Sequence, residues 1–160
     1  MFAAFRPRRH ILKGALALSL AAVIAACEPI ALSTGPSVNT SKPIPVALLV
    51  PQSSGASGDA VLAQSLENAA RLAMSDLDGV EIDLRVYDTA GDATTAKAAA
   101  LSAVSDGAKI ILGPVRSGPT NAVGLALAGK GVNVLSFSNN ASIAGGNVFV
   151  LGPTFQNTAD

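Results

Sequence analysis

From Ile44 onward the chain alternates between two hydrophobic periods, and that alternation limits its folds more than any other feature. Ile44 to Val50 is a continuous apolar run, the pattern of a strand covered on both faces in the middle of a parallel sheet. Pro51 to Gly58 is a polar loop rich in glycine and serine. After it, Leu62, Leu66, Ala69, Ala73 and Leu77 recur at helical spacing, with Asp59 placed to cap the helix and Glu67 and Arg71 spaced for a weak ion pair on its wet side. Asp78 and Gly79 turn the chain into Val80 to Tyr87, where Ile82, Leu84 and Val86 alternate with Glu81, Asp83 and Arg85. Strict alternation leaves one face wetter and suits a strand near a sheet edge. An alanine-rich helix over Asp92 to Asp106 ends at Gly107, a left-handed C-cap. Lys109 to Leu112 predicts a third strand, Gly113 to Ser117 a loop, and a third helix runs to Lys130 with Gly131 as its stop. Val132 to Phe137 and Val148 to Leu151 predict two further strands.

Strands and helices in strict alternation with short connections define an α/β class, a doubly wound parallel sheet with strand order 2-1-3-4-5. In such sheets the binding crevice lies beyond the carboxyl ends of the strands, where the order reverses. The loops there carry Gln52, Ser53, Ser54 and Gly55, then Asp88 and Thr89, then Arg116, Ser117 and Thr120, then Ser138, Asn139 and Asn140. Hydroxyls and amides dominate, which suits recognition of a small polar ligand by hydrogen bonds and not bond-breaking chemistry. Ser53, Ser54, Asp88, Arg116, Ser117, Ser138 and Asn140 are the candidate ligand or partner contacts. Ser117 precedes a helix whose free N–H groups either receive an anion or are capped by that serine. Gly55-Ala56-Ser57-Gly58 has the wrong spacing for a dinucleotide fingerprint, and no Gly-Lys-Ser/Thr makes a phosphate loop. Pro51 and Gln52 stand where a response-regulator-like domain would gather acids.

The first 26 residues have the anatomy of a secretion signal, with Arg6, Arg8, Arg9 and Lys13 as a basic head and Gly14 to Ala26 as an apolar stretch. Ile24-Ala25-Ala26-Cys27 resembles the lipobox of bacterial lipoproteins, which implies cleavage before Cys27 and its acylation. An ordinary secretory signal and a short uncleaved anchor are the alternatives. Residues 27–43, rich in proline, glycine, serine and threonine, read as a flexible tether. Removing the signal takes four of the 11 basic residues and none of the 11 acidic ones, leaving 7 against 11, net −4. A mildly acidic surface argues against nucleic acid as a partner. His10, the only histidine, leaves with the signal, and Cys27 is the only cysteine. No histidine-based nucleophile system, zinc site or disulfide is then expected, no motif gathers the lysines, carboxylates and Tyr87 into a reaction centre, and neither an enzyme nor a cofactor is predicted.

Val46-Ala47-Leu48-Leu49-Val50-Pro51, Val86-Tyr87-Asp88-Thr89, Asp106-Gly107-Ala108, Leu112-Gly113-Pro114 and Val134-Leu135-Ser136-Phe137-Ser138-Asn139 occur in that order. Together they resemble the type I periplasmic-binding-protein superfamily, in its leucine-binding-protein-like branch. The lipoprotein start and the middle segments are most similar to the penicillin-binding-protein activators. The resemblance implies that residues 44–152 form lobe 1 of a two-lobed fold, and that residues 153–160 begin a crossover to a second lobe. On that reading the chain is a truncated or incomplete piece, and alone it binds small ligands weakly, since one lobe cannot enclose them. In amino-acid receptors of the branch, positions matching Ser117, Ser138 and Asn140 grip the ligand's amino-acid backbone. Arg116 and Phe137-Ser138-Asn139-Asn140 depart from the receptor pattern. Arg116 then pairs with an anion or a partner protein, or is merely solvated. The implied function is a non-catalytic envelope lipoprotein, lipid-anchored to the inner or outer membrane and facing the periplasm, that regulates a peptidoglycan synthase. The alternative is a receptor handing an amino acid or similar solute to an ABC permease.

Overall fold

The computed structural model describes residues 38–153. The expected signal, the acylation site at Cys27, most of the tether and all but the first residue of the expected crossover lie outside the described residues. Five strands, β1 (Ile44–Val50), β2 (Ile82–Asp88), β3 (Ile110–Leu112), β4 (Asn133–Ser136) and β5 (Val148–Val150), form one parallel sheet in the order β2-β1-β3-β4-β5. This is the order expected from the sequence. Three helices join them: α1 (Asp59–Ser75), α2 (Ala93–Ser105) and α3 (Ser117–Leu127). A short 3₁₀ turn, Ala141–Ile143, precedes β5.

The register sets two rows of side chains on opposite faces, because successive residues of a strand point opposite ways. One row runs Val86, Leu48, Leu112, Leu135 and Phe149, and the next runs Ala47, Ile111, Val134 and Val148. On the second face Ala47, Leu49, Ile111 and Val134 pack with Ala96, Ala100 and Ala103 of α2 and with Val123 and Leu127 of α3. Alanines on the buried side of α2 let that helix lie close to the sheet. On the first face Leu48 and Val50 meet Ala63, Leu66 and Ala70 of α1. Leu48, Leu49 and Ile111 are fully buried, each worth roughly 1.5–3 kcal/mol of apolar transfer.

Several boundaries differ from expectation. β2 starts at Ile82, leaving Val80 exposed in the turn, and α3 ends at Leu127, short of Lys130, before a turn with positive φ at Gly129 and Gly131. Gly107 does close the turn after α2 in the left-handed region, at φ +95. The inward stripe of α1 is Asp59 and Ala63, buried, with Leu66 and Ala70, partly buried, not the predicted Leu62-Leu66-Ala69-Ala73-Leu77 stripe. Both share Leu66, but Leu62 is 37% exposed and Leu77 lies past the end of the helix. The small Ala63 fits against Leu48 and Val50, and the charge on Asp59 is met on the same side, so the helix presents that face.

Candidate functional site

Because β1 lies between β2 and β3, the loops leaving these three strands converge at one end of the sheet. Their first ties are internal. Asp88 ends β2 beside Val50, and its Oδ1 accepts from the Ser53 N–H at 3.2 Å and the Ala90 N–H at 2.9 Å, while the Ser53 hydroxyl donates to Oδ2. Burial favours the neutral acid, yet the bonds from Ser53 and Ala90 outweigh it and hold the Asp88 carboxyl below its ordinary range. Ser53 and Asp88, both candidates from the sequence, are thus brought together as a staple between the first two loops.

Arg116 is half exposed and also paired within the chain. Its Nη2 donates to Oδ1 of Asp59, 57 residues earlier, which ties the start of α1 to the start of α3. The arginine side chain is half exposed, whereas Asp59 as a whole is only 3% exposed. Asp59 does not cap its helix. Gly58 holds the N-cap position at φ +87, and Asp59 is the first helical residue, turned inward. The Ser54 hydroxyl, foremost, and the Arg116 guanidinium lower the Asp59 carboxyl against the opposing cost of burial. The Ser54 hydroxyl stands beside that carboxyl, whose Oδ2 is buried. Sequence reasoning assigned Asp59 a capping role only, because an aspartate just before a run of helical spacing is sufficiently explained as an N-cap. A pairing 57 residues distant leaves no local signal.

Ser117 likewise does not cap α3: Arg116 occupies the N-cap position without a side-chain cap bond, and Ser117 opens the helix. Thr120 and Ser136 are fully buried, their hydroxyls 2.7 Å apart, and Ser136 Oγ also donates to the Pro114 carbonyl at 3.0 Å. Ser136 was not singled out from the sequence, where it reads as one more strand residue. Ser138 is 2% exposed, its N–H donating to Ser136 Oγ and its own Oγ accepting from the Asn140 N–H, both at 3.1 Å. Asn140 Oδ1 accepts from the Ser142 N–H at 3.0 Å and hydroxyl at 2.7 Å and so caps the 3₁₀ turn.

What stays open is a shallow recess, continuous with solvent and too tight to hold a water molecule, bounded by Pro51, Thr89, Gly91, Pro114, Arg116 and Pro119 among others. All three loops contribute to it, and Arg116 brings the charge. Its walls are largely apolar, with Arg116 the one charged residue among them. Among the described residues no three histidine, cysteine or acidic groups converge as metal ligands, and no helix is long and apolar enough to cross a membrane.

Residues 43–160 match a family model described as periplasmic binding protein. No curated protein matches the chain. Among solved structures, the chain is similar to the branched-chain amino acid transporter substrate binding protein LivJ from Streptococcus pneumoniae, in complex with isoleucine (TM-score 0.57, 20% identity, covering 68% of this chain and 33% of that one). It is also similar to the leucine binding protein LivK from Thermotoga maritima (0.58, 23% identity, 66% and 31%). A third is the leucine-, isoleucine-, valine-, threonine- and alanine-binding protein from Brucella ovis in its closed conformation (0.56, 23% identity, 74% and 35%). At these identities the likeness is one of fold, and the chain spans about a third of the length of each structure.

Proposed function

The chain belongs to the periplasmic binding protein family, and from that premise we propose that it is an extracytoplasmic receptor lobe for a small polar solute, serving an ABC permease. The observation that carries this reading is the recess at the strand tips, where three loops meet around Arg116. The named relatives bind amino acids, among them isoleucine, leucine, valine, threonine and alanine, and amino acids or similar solutes are therefore the first ligands to try. In this reading residues 1–26 are a signal, a lipid on Cys27 holds the protein to the membrane, residues 27–43 are the tether, residues 44–152 are one lobe, and residues 153–160 lead towards an opposing one. Enclosure of a ligand then depends on that opposing surface, because a lone open recess cannot bury most of a solute.

A second reading, regulation of a peptidoglycan synthase by a lipoprotein of this fold, draws on a specific observation. The polar groups of Asp88, Ser138 and Asn140 are already used within the chain, which leaves fewer of them for a solute. One experiment separates the two. The full chain in detergent is melted in the presence of each of a panel of amino acids and small amides, and is separately passed over immobilised purified synthase. A rise in melting temperature with a solute supports the receptor; retention on the synthase with no response to any solute overturns it.

A further inference from the structure

The sheet is covered unevenly. Helices α2 and α3 both pack on the face of Ala47, Ile111 and Val134, whereas on the face of Leu48 and Leu112 α1 is the one helix among the described residues, and it lies against β1 and β2. Parallel sheets otherwise have both faces covered. Beyond α1 that face shows Leu112, Leu135 and Phe137, partly buried, and Phe149, 48% exposed. Helix α1 has a second apolar side of its own. At about 100° per residue, Leu62, Ala69 and Ala73 fall a quarter-turn from the inward Ala63 and Ala70, and Val61 and Leu72 fall opposite them. All five are exposed, Val61 by 71% and Leu72 by 68%. A right-handed crossover from β1 to β2 turns the quarter-turn side towards β3. In agreement, Leu66 on that side packs in the cluster that includes Leu112 and Phe137. The two bare surfaces therefore meet as wall and floor of one groove. None of these residues is charged, and Glu67 and Arg71 pair with each other on the far side of α1.

We propose that a second copy of this chain fills the groove, in a two-fold dimer whose axis runs along α1. A lone extra helix laid in the groove would cover Leu62, Ala69 and Ala73 but leave Val61 and Leu72 bare. A second copy covers both sets. Its α1 lies beside the first with the quarter-turn sides together, and the outward ridge of each helix, Val61 and Leu72, rests on the Leu135 and Phe149 floor of the other copy. Two helices thus share one layer between two sheets, an isologous contact in which each copy gives and receives the same surfaces. The area is sufficient. At 1.5 Å per residue the 17 residues of α1 span about 25 Å, with a bare arc about 12 Å wide. Three strands spaced about 4.8 Å apart give a floor of similar size. Each copy then buries roughly 600 Å², about 1,200 Å² in all, at the lower end of stable interfaces. With uncharged side chains on both surfaces, contact desolvates no ion. An axis along α1 leaves the strand tips of both copies open and on the same side, so the dimer stands independently of what the recess receives.

The test is the oligomeric state of the full chain in detergent, measured by sedimentation over a dilution series with micelles in excess. Expected is a dimer. Ala69→Glu and Leu72→Glu put a charge on the wall and on the ridge, and each should weaken association by about a hundredfold or more, because the two-fold brings like charges together out of water. Ser102→Glu, on the exposed side of α2, should leave it unchanged. Far-UV circular dichroism checks that the variants fold. Should a glutamate variant not fold, Ala69→Cys and Ala73→Cys in a Cys27→Ser background serve instead. The axis brings each introduced thiol to its equivalent, so mild oxidation should link two copies there and not through Ser102→Cys. A monomeric parent overturns the inference, whether its groove is bare or filled by another segment or another protein. So does a dimer that folded Ala69→Glu and Leu72→Glu leave intact, that Ser102→Glu weakens equally, or that links no better through Ala69→Cys than through Ser102→Cys.

Discussion

Gly113→Ala is the substitution whose cost can be worked most directly from the geometry. Gly113 follows β3 at φ +87, and a Cβ built on it would lie 2.3 Å from the backbone carbonyl oxygen of Leu49 in β1. A carbon and a carbonyl oxygen normally approach no closer than about 3.3 Å, so about 1 Å must be found between two backbones. Neither can give readily. The Gly113 N–H donates to the Leu135 carbonyl at 2.8 Å, and Leu49 is fully buried in the middle strand. The left-handed conformation costs an alanine roughly 1–2 kcal/mol, and forced overpacking adds about 1–3 kcal/mol. The sum, roughly 2–5 kcal/mol, is a large share of the stability of about 5–15 kcal/mol typical of a domain. Gly118→Ala is the matched control: this glycine lies in α3 with nothing within 4 Å of a built Cβ. There alanine should stabilise by about 0.5–1 kcal/mol. Urea unfolding of both variants and the parent, followed by far-UV circular dichroism at neutral pH, gives the comparison. If Gly113→Ala lost less than about 1 kcal/mol, or if the two alanines behaved alike, the close approach of β1 and the loop after β3 would not be as described.

Asp92 accepts from the Thr95 N–H at 2.8 Å as the N-cap of α2, so Asp92→Ala should cost about 1 kcal/mol and Asp92→Asn far less; equal melting temperatures for the two would contradict the cap. The Asp88 carboxyl titrates below its unfolded value, the cost of burial being overcome by the bonds from Ser53 and Ala90. Its contribution is therefore complete above the unfolded pKa of about 3.9 and is lost as pH falls through the lower folded one. Ser53→Ala should raise that folded value and weaken the dependence of stability on acid. Carboxyl-carbon NMR that found the Asp88 titration unmoved would refute the staple.

The fold was legible because each strand of the sheet is written in a form that local chemistry dictates. Ile44 to Val50 is apolar without interruption since it lies in the middle, paired on both sides and covered by helices on both faces. The alternation in β2 belongs to a strand with one neighbour. Helix boundaries were legible where a side chain or a glycine marks them, as at Asp92 and Gly107, and missed where the mark is ambiguous. Asp59 and Ser117 both have good capping chemistry, but each sits one place inside its helix. The buried face of α1 was misjudged because large aliphatics were given more weight than alanine, whereas the space above Leu48 and Val50 accepts Ala63. What decides the site was less legible still, since hydroxyls and amides near strand tips serve turns and ligands by the same chemistry.

That ambiguity follows from the topology itself. Five parallel strands bring the ends of β1, β2 and β3 together, and each loop there must satisfy its backbone before it can serve a solute. Asp88 binds two N–H groups, Asn140 caps a turn, and Ser136 and Thr120 bond to each other and to loop carbonyls. Polar residues consumed in this way hold the loops rigid, so the space between them keeps its shape. Asp59 belongs to the same frame: its Oδ1 accepts from Arg116, and its Oδ2 is buried. The residues most visible in the sequence as candidates thus build the frame of the site, and the pairing of Asp59 with Arg116 that joins two of its helices was hidden behind an ordinary helix-start signal.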